Sequence, residues 1–375
     1  METALSFKLA KMLTNGPSLW RALRHRGPAG PYENHLHAAA AWLLAAQQAG
    51  GGGGYPHSFH LLYGWRPAYP ETTGYIVPTL LNLHRRLGGA ALRNSAAAAL
   101  RWLETVQRSD GSFCDLQGRP QAFDTGQVLL GFNYAAEHAP ELAKRSALER
   151  AARWLAASQE KDGSFIRFAY NAIPHSYYAR VGVALAQAGR ILGDDSLRQA
   201  GLRNLRWAVA QQQPNGFFRQ LSFEAGMPPY LHTMIYVIEG LMDGAAETGE
   251  DSFRLSATAF ATRLRELSED RDYILRSQYR EDYSVANGEK CLVGLAQWAA
   301  VCFRMARAEL NKAWWREGDK TLGFLKSQQI LCADQRLHGG LFGSAPPWGR
   351  YMRLAIPNWG AKFFIDAILE ATEIP

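Results

Sequence analysis

No stretch of this sequence approaches the roughly 20 consecutive apolar residues that cross a bilayer. Its longest apolar runs are interrupted by Gly, Gln or His, so no transmembrane segment is expected. Cysteine is scarce. Cys114, Cys291, Cys302 and Cys332 form no CxxC pair and keep no regular spacing, which argues against a disulfide framework and predicts reduced thiols in a cytoplasmic protein. The opening METALSFKLAKMLTNGPSLWRALRHRG lacks the long apolar core and small-residue cleavage site of a secretory signal. Its mixture of apolar and basic residues predicts a helical extension over residues 1–30 packed on a main domain over 31–375. Peripheral membrane or complex association through that helix is the alternative. Arginine and lysine are scattered rather than striped and no nucleic-acid motif is present, so nucleic acid is not an expected partner. The acidic motifs DxDD, DDxxD and a DCTAE-like run are also missing.

What the chain does have is a soluble globular composition, 47% apolar and 20% charged. Its 375 residues can build one large repetitive domain with a substantial core. The net charge of +7 suits an anionic ligand such as an acidic glycan or a phosphorylated lipid carrier. Arg101, Arg153, Arg203 and Arg206 fall on predicted helices, where the simpler reading is a solvated face.

One phrase recurs. It reads RWLETVQRSDGSF from Arg101, RWLAASQEKDGSF from Arg153 and LRWAVAQQQPNGFF from Leu205. Looser copies start at Ala40, Ala261 and Thr321, each an apolar pattern of helical period followed by polar residues and a glycine or acidic turn. After each phrase comes a loop and a second helix rich in small and apolar residues. Taking Glu71, Asp124, His175, His232, Glu289 and Asn358 as markers of those second helices, the gaps are 53, 51, 57, 57 and 69 residues. A helical pair repeated six times predicts an all-α fold, an (α/α)6 toroid with amphipathic outer and less polar inner helices. An open α-solenoid is the competing architecture, but solenoid repeats are usually shorter.

The repeated phrase resembles the Gln-and-DG motif of squalene cyclases and protein prenyltransferase β-subunits. That resemblance covers most of the chain and implies the scaffold, not the chemistry. PETTGY with FDTGQVLLGF, and the closing GGLFGSAPPWGRYMRLAIPNWGAKFFIDAIL, resemble a family of bacterial proteins associated with exopolysaccharide biosynthesis. The resemblance implies a glycan context.

In four inner helices an ionisable residue directly precedes Ser or Thr: Glu71-Thr72, Asp124-Thr125, His175-Ser176 and His232-Thr233. Ser and Thr are favoured N-caps, so each ionisable group is expected just outside its helix, with helices starting near Thr72, Thr125, Ser176, Thr233, Gly288 and Asn358. In a closed ring all these ends meet at one mouth, with Glu289 or Lys290 and Asn358 completing the circle. Acids at helix N-termini are common as dipole partners, but histidines have no such claim. Two acids and two histidines in equivalent places therefore favour a site.

Tyr75 lies a turn beyond Glu71; Tyr178 and Arg180 follow His175; Tyr236 and Glu239 follow His232 at +4 and +7. Arg180 either grips a substrate carboxylate or neutralises Asp124 or Glu239. Trp65, Trp348, Tyr351 and Trp359 are loop or helix-start aromatics suited to stacking on sugar rings, and Trp102, Trp154 and Trp207 are expected in the core.

Glycosidic hydrolysis needs a protonated acid and a carboxylate. Glu71 is assigned the acid and Asp124 the base or nucleophile, with Glu239 a further candidate. A uronate C5-epimerase or lyase, using Arg180 with His175, Tyr178 and His232, is the close second. Terpenoid cyclisation is weaker. A zinc site on Cys291, His232 and an acid competes with the reading of Cys291 as a buried small residue, and neither metal nor cofactor is expected. A non-catalytic glycan-binding protein is the alternative from another class.

Overall fold

The computed structural model describes residues 30–270 and 274–373. Apart from Gly30, the predicted N-terminal extension lies outside the described residues, and with it the predicted membrane or partner contact. Among the described residues twelve α-helices alternate between the two predicted kinds. The outer helices are α1 (Tyr32–Ala49), α3 (Ala90–Val106), α5 (Arg145–Ser158), α7 (Asp195–Ala210), α9 (Asp251–Asp270) and α11 (Lys312–Gln328). The inner ones are α2 (Pro70–Leu87), α4 (Ala122–His138), α6 (Ala179–Leu192), α8 (Leu231–Thr248), α10 (Leu292–Glu309) and α12 (Asn358–Thr372). Short strands of two or three residues pair in the connecting loops: β1 (Ser58–His60) with β2 (Gly64–Trp65) and β7 (Ala355–Pro357), β3 (Gln278–Tyr279) with β4 (Val285–Asn287), and β5 (Lys290–Cys291) with β6 (Ser344–Ala345). No described helix is long and apolar enough to cross a membrane.

The outer helices carry one apolar stripe. In α5 it is Ala147, Leu148, Ala151, Ala152 and Leu155, while Glu149, Arg150 and Arg153 face outward. The inner helices are buried nearly all round; α8 buries every residue from Leu231 to Leu241.

The described residues form two compact units, one within 69–288 and one from 30–68 with 289–373. In the first, α2, α4, α6 and α8 pack in sequence order, each inner helix against the next. Small residues set the spacing. A Cβ on Gly131 would stand 2.2 Å from the carbonyl oxygen of Gly74, and one on Gly74 would stand 2.4 Å from Val128 Cα. Pro78, inside α2, has no N–H to offer that same Gly74 carbonyl. In the second unit α10 packs on α12, and α12 packs on α1, so the last hairpin returns to the first.

The repeated glutamine is what ties hairpins together. Gln107 Nε2 donates to Gly111 O in its own loop at 3.1 Å and to Ala147 O of the next outer helix at 2.9 Å. Gln159 repeats this with Gly163 O and Ala200 O, and Gln212 with Gly216 O and Ser256 O. Gln329 does so with Gly339 O and His35 O, bonding the sixth outer helix's exit to α1. The glycine cannot be replaced, because Gly111 sits at φ 98 and a Cβ there would stand 2.3 Å from Arg150 O.

The expected helix starts need correction. α2, α4 and α8 begin two or three residues earlier, after Tyr69, Gln121 and Tyr230, and α10 begins later, after Cys291. Ser176 opens a short 3-10 turn (Ser176–Tyr178) before α6. Only Asn358 starts its helix as expected. Thr125 and Thr233 are not N-caps; their hydroxyls donate back to Gln121 O at 2.8 Å and Tyr230 O at 2.9 Å, inside the first turn. Thr125 Oγ1 also accepts from Phe113 N at 3.0 Å, pinning the preceding loop. Glu71, Asp124 and His232 consequently sit within the first turn rather than outside it.

One expected result follows from the α2–α4 crossing. Gly131→Ala should destabilise the protein by about 1–3 kcal/mol in urea titration, since the added methyl must push the two helices apart. An unchanged midpoint would mean that the crossing is looser than its geometry.

Candidate active site

The site is assembled within the 69–288 unit. Pro70 at the first position of α2 has no N–H to waste, and extended Tyr69 caps the helix with its side chain directed to the neighbouring repeat. Tyr69 Oη donates to Asp124 Oδ2 at 2.7 Å. Asp124 is buried, 5% exposed, and Glu71 is half-buried.

Burial pushes the Asp124 carboxyl up to about 7, against the opposing pull of the Tyr69 hydrogen bond. Glu71 is raised well above the usual carboxylate range, first by burial and then by the charge of Asp124, while Arg180 and the Tyr69 phenol pull it down. Burial dominates although solvent still reaches Glu71, as expected for a carboxyl set in a concavity. The Tyr69 phenol is itself raised, by burial and then by Asp124, and so remains a donor.

Arg180 is the cation of the site. Its Nη1 donates to Glu239 Oε2 at 2.9 Å, and its Nε donates to Gln127 Oε1 at 2.9 Å. The guanidinium carbon lies 5.0 Å from the centre of the Tyr236 ring. Nη2 takes no protein partner among the described residues. Of the two readings for Arg180, neutralisation is met by Glu239, while one edge of the fork remains for a ligand.

An aromatic wall stands around these groups. Phe123 lies 5.3 Å from Tyr177, 5.2 Å from Tyr178 and 5.4 Å from Tyr236, centre to centre. Burial raises the Tyr177 and Tyr236 phenols, and Glu71 is among the charges that raise them further. Tyr75 is buried beside Tyr236, and its hydroxyl pulls the Tyr236 phenol down against those effects. His232 packs its ring 4.3 Å from Tyr236, one turn along α8.

His175 and Tyr178 are engaged differently. His175 is 1% exposed, its Nε2 lies 2.8 Å from Tyr170 O, and burial lowers it to about 4, so it is neutral. Tyr178 Oη accepts from Tyr170 N at 3.0 Å. Both are bound to the loop at Tyr170.

The remaining sequence candidates belong to the other unit. Trp65 lies in β2 against Trp42 and Phe59. Lys290 is half-buried in β5, paired with Ala345. Trp348 is 58% exposed. Trp359 Nε1 donates to Tyr351 Oη at 3.0 Å, and both are buried. Asn358 is fully buried and its Nδ2 donates to Pro56 O at 2.8 Å. Glu289 Oε2 accepts from Arg350 N at 2.8 Å. Cys291 caps α10, its sulfur accepting from Gly294 N at 3.4 Å, and all four cysteines are free thiols.

Three partners were missed from sequence: Tyr69, Gln127 and Phe123. Tyr69 precedes Glu71 by two positions, and Gln127 follows Asp124 by three, one turn along the same helix, so spacing from the markers was a usable signal for both. Phe123 adjoins a marker but reads as core from its type.

No family model matches the chain, and no curated protein matches it. Among solved structures, an unsaturated glucuronyl hydrolase specific for heparin superposes with TM-score 0.72 at 16% identity, covering 91% of this chain and 97% of that one. D-mannose isomerase gives 0.70 at 12% identity, covering 91% and 97%. Cellobiose 2-epimerase from Bacillus thermoamylovorans B4167 gives 0.67 at 13% identity, covering 90% and 97%. The fold is thus an all-α (α/α)6 toroid.

Proposed function

We propose that the protein is a carbohydrate-active enzyme that cleaves a glycosidic bond in an acidic bacterial glycan. The observation that carries this is the pairing of Glu71 and Asp124 on adjacent inner helices, both raised by burial, with Asp124 held by the Tyr69 hydroxyl at 2.7 Å. Glu71, held protonated, gives its proton to the leaving oxygen. Asp124, oriented by Tyr69, activates a water or attacks the anomeric carbon in its ionised form. Tyr236 and Phe123 supply a ring-sized apolar face, and the open edge of Arg180 suits a substrate carboxylate. The neighbours of the same fold are named for a hydrolase, an isomerase and an epimerase acting on sugars, which supports the substrate class. The resemblance to exopolysaccharide-associated proteins and the charge of +7 favour an acidic glycan.

A second reading rests on Arg180 with its neighbours. A guanidinium edge beside Tyr236, with His232 against the same phenol, offers what epimerisation or elimination at a uronate needs: a carboxylate clamp and proton donors or acceptors. Incubation with acidic bacterial polysaccharides separates the readings. New reducing ends mean hydrolysis, a new ultraviolet-absorbing double bond means elimination, and deuterium uptake without shortening means epimerisation. Tight binding with no product, unaffected by loss of both carboxyls, would make the protein a glycan-binding module.

The pair also predicts a pH profile. kcat/KM should rise through about pH 7 as Asp124 ionises, and fall as Glu71, itself held well above the usual carboxylate range, loses its proton. Stability runs the other way. The folded Asp124 sits above its ordinary 3.8, so its contribution is full below about pH 4 and is lost as pH rises through about 7. A rate profile without a rising limb near neutrality would remove Asp124 from the base role.

A further inference from the structure

The turn from α10 to α11 departs from three of its four counterparts, the turn after α4 being the other that passes through no glycine. α2, α6 and α8 hand over to their outer helices through a glycine at positive φ: Gly88, Gly193 and Gly249, at 72°, 73° and 75°. α10 ends instead on Leu310, left-handed at φ 50° and ψ 37°, with 90% of its surface exposed. A left-handed leucine is strained, and an exposed one gains nothing from burial, so in the isolated protein the residue is unfavourable on both counts. Beside it lies an apolar groove of about 500 Å³ walled by Ala306, Leu310 and Trp315, with Arg307, Lys312 and Arg316 at its edge. Arg307 is held by Glu370. Lys312 and Arg316 are exposed and make no ion pair among the described residues.

We propose that this groove is a contact with an anionic lipid bilayer. Leu310 and Trp315 enter the interfacial layer, where aliphatic tips and indole rings are stable, and Lys312 and Arg316 meet the headgroup phosphates. Charge complementarity selects the partner: two unpaired cations flank a protruding apolar side chain, matching a sheet of anionic groups over hydrocarbon. The strain at Leu310 is then offset when its side chain leaves water.

The test is co-sedimentation of the full chain with vesicles of phosphatidylglycerol and phosphatidylcholine, against phosphatidylcholine alone. Wild type should pellet with the anionic vesicles only. Leu310→Gly should weaken that partitioning by at least about tenfold while raising the melting temperature, because glycine adopts the left-handed turn freely. Lys312→Glu with Arg316→Glu should abolish binding without lowering the melting temperature. Wild type that ignores anionic vesicles, or Leu310→Gly that binds as well as wild type, overturns the proposal. So does a concentration-dependent dimer that Leu310→Gly dissociates in the ultracentrifuge, since the patch would then meet a second copy of the chain.

Discussion

Glu71→Gln is expected to cut turnover by about 10²–10⁴-fold, the usual contribution of a general acid, and Asp124→Asn should cost at least as much. Neither should lower the melting temperature at neutral pH. Both carboxyls are raised by burial, so the fold disfavours their ionised forms, and an uncharged amide of the same shape removes that penalty. In the Asp124→Asn variant the amide oxygen would still accept from Tyr69. The expected signature is therefore lost activity with equal or higher stability, most visible above about pH 7. Caps behave in the opposite manner: variants that unfold, with the folded remainder active, would reduce these residues to structural groups. Tyr69→Phe should fall between, losing activity through a misoriented and less acidic Asp124, and its rate limb should move to higher pH.

Arg180→Ala should be the most destabilising single change in the site, by about 3–5 kcal/mol, because Glu239 would be left buried without its cation. The side chains of Arg180 and Glu239 are each 9% exposed and meet at 2.9 Å, so solvent does little to soften the loss. Glu239→Gln in the same chain should recover much of it, and the doubly neutral protein should fold yet bind acidic glycan poorly. Arg180→Lys keeps the charge but gives up the fork that reaches Gln127, Glu239 and a ligand at once, so it should spare stability and raise KM. Chemical denaturation beside calorimetric titration with a uronate-containing oligosaccharide separates the two effects. Single and double variants of equal stability would place the pair outside the folding energetics.

The sequence made the scaffold legible because its devices are local and repeated. Gln107, Gln159, Gln212 and Gln329 each stand four to ten residues before the loop glycine they bond, so the phrase and the bond share one stretch of chain. Glu71 and Asp124 were legible for the same reason, being marked by their repeat position. The capping role given to Thr125 and Thr233 was wrong, because the helix start is decided by residues before them and by the loop that Thr125 holds through Phe113 N. Tyr170 is another instance: nothing in its sequence position announces that it engages both His175 and Tyr178.

By itself, then, the sequence determined the period, the alternation of amphipathic and apolar helices, and the carboxyls at the inner helix starts, all carried by spacing along one chain. Only the tertiary structure decided what those groups are chemically. Asp124 is raised because α2 and α4 bury it beside Tyr69, and Arg180 is divided between Gln127 and Glu239 because α4, α6 and α8 meet across repeats more than fifty residues apart. Desolvation and pairing depend on which helices touch, and that contact is a property of the packed fold, invisible in any one repeat.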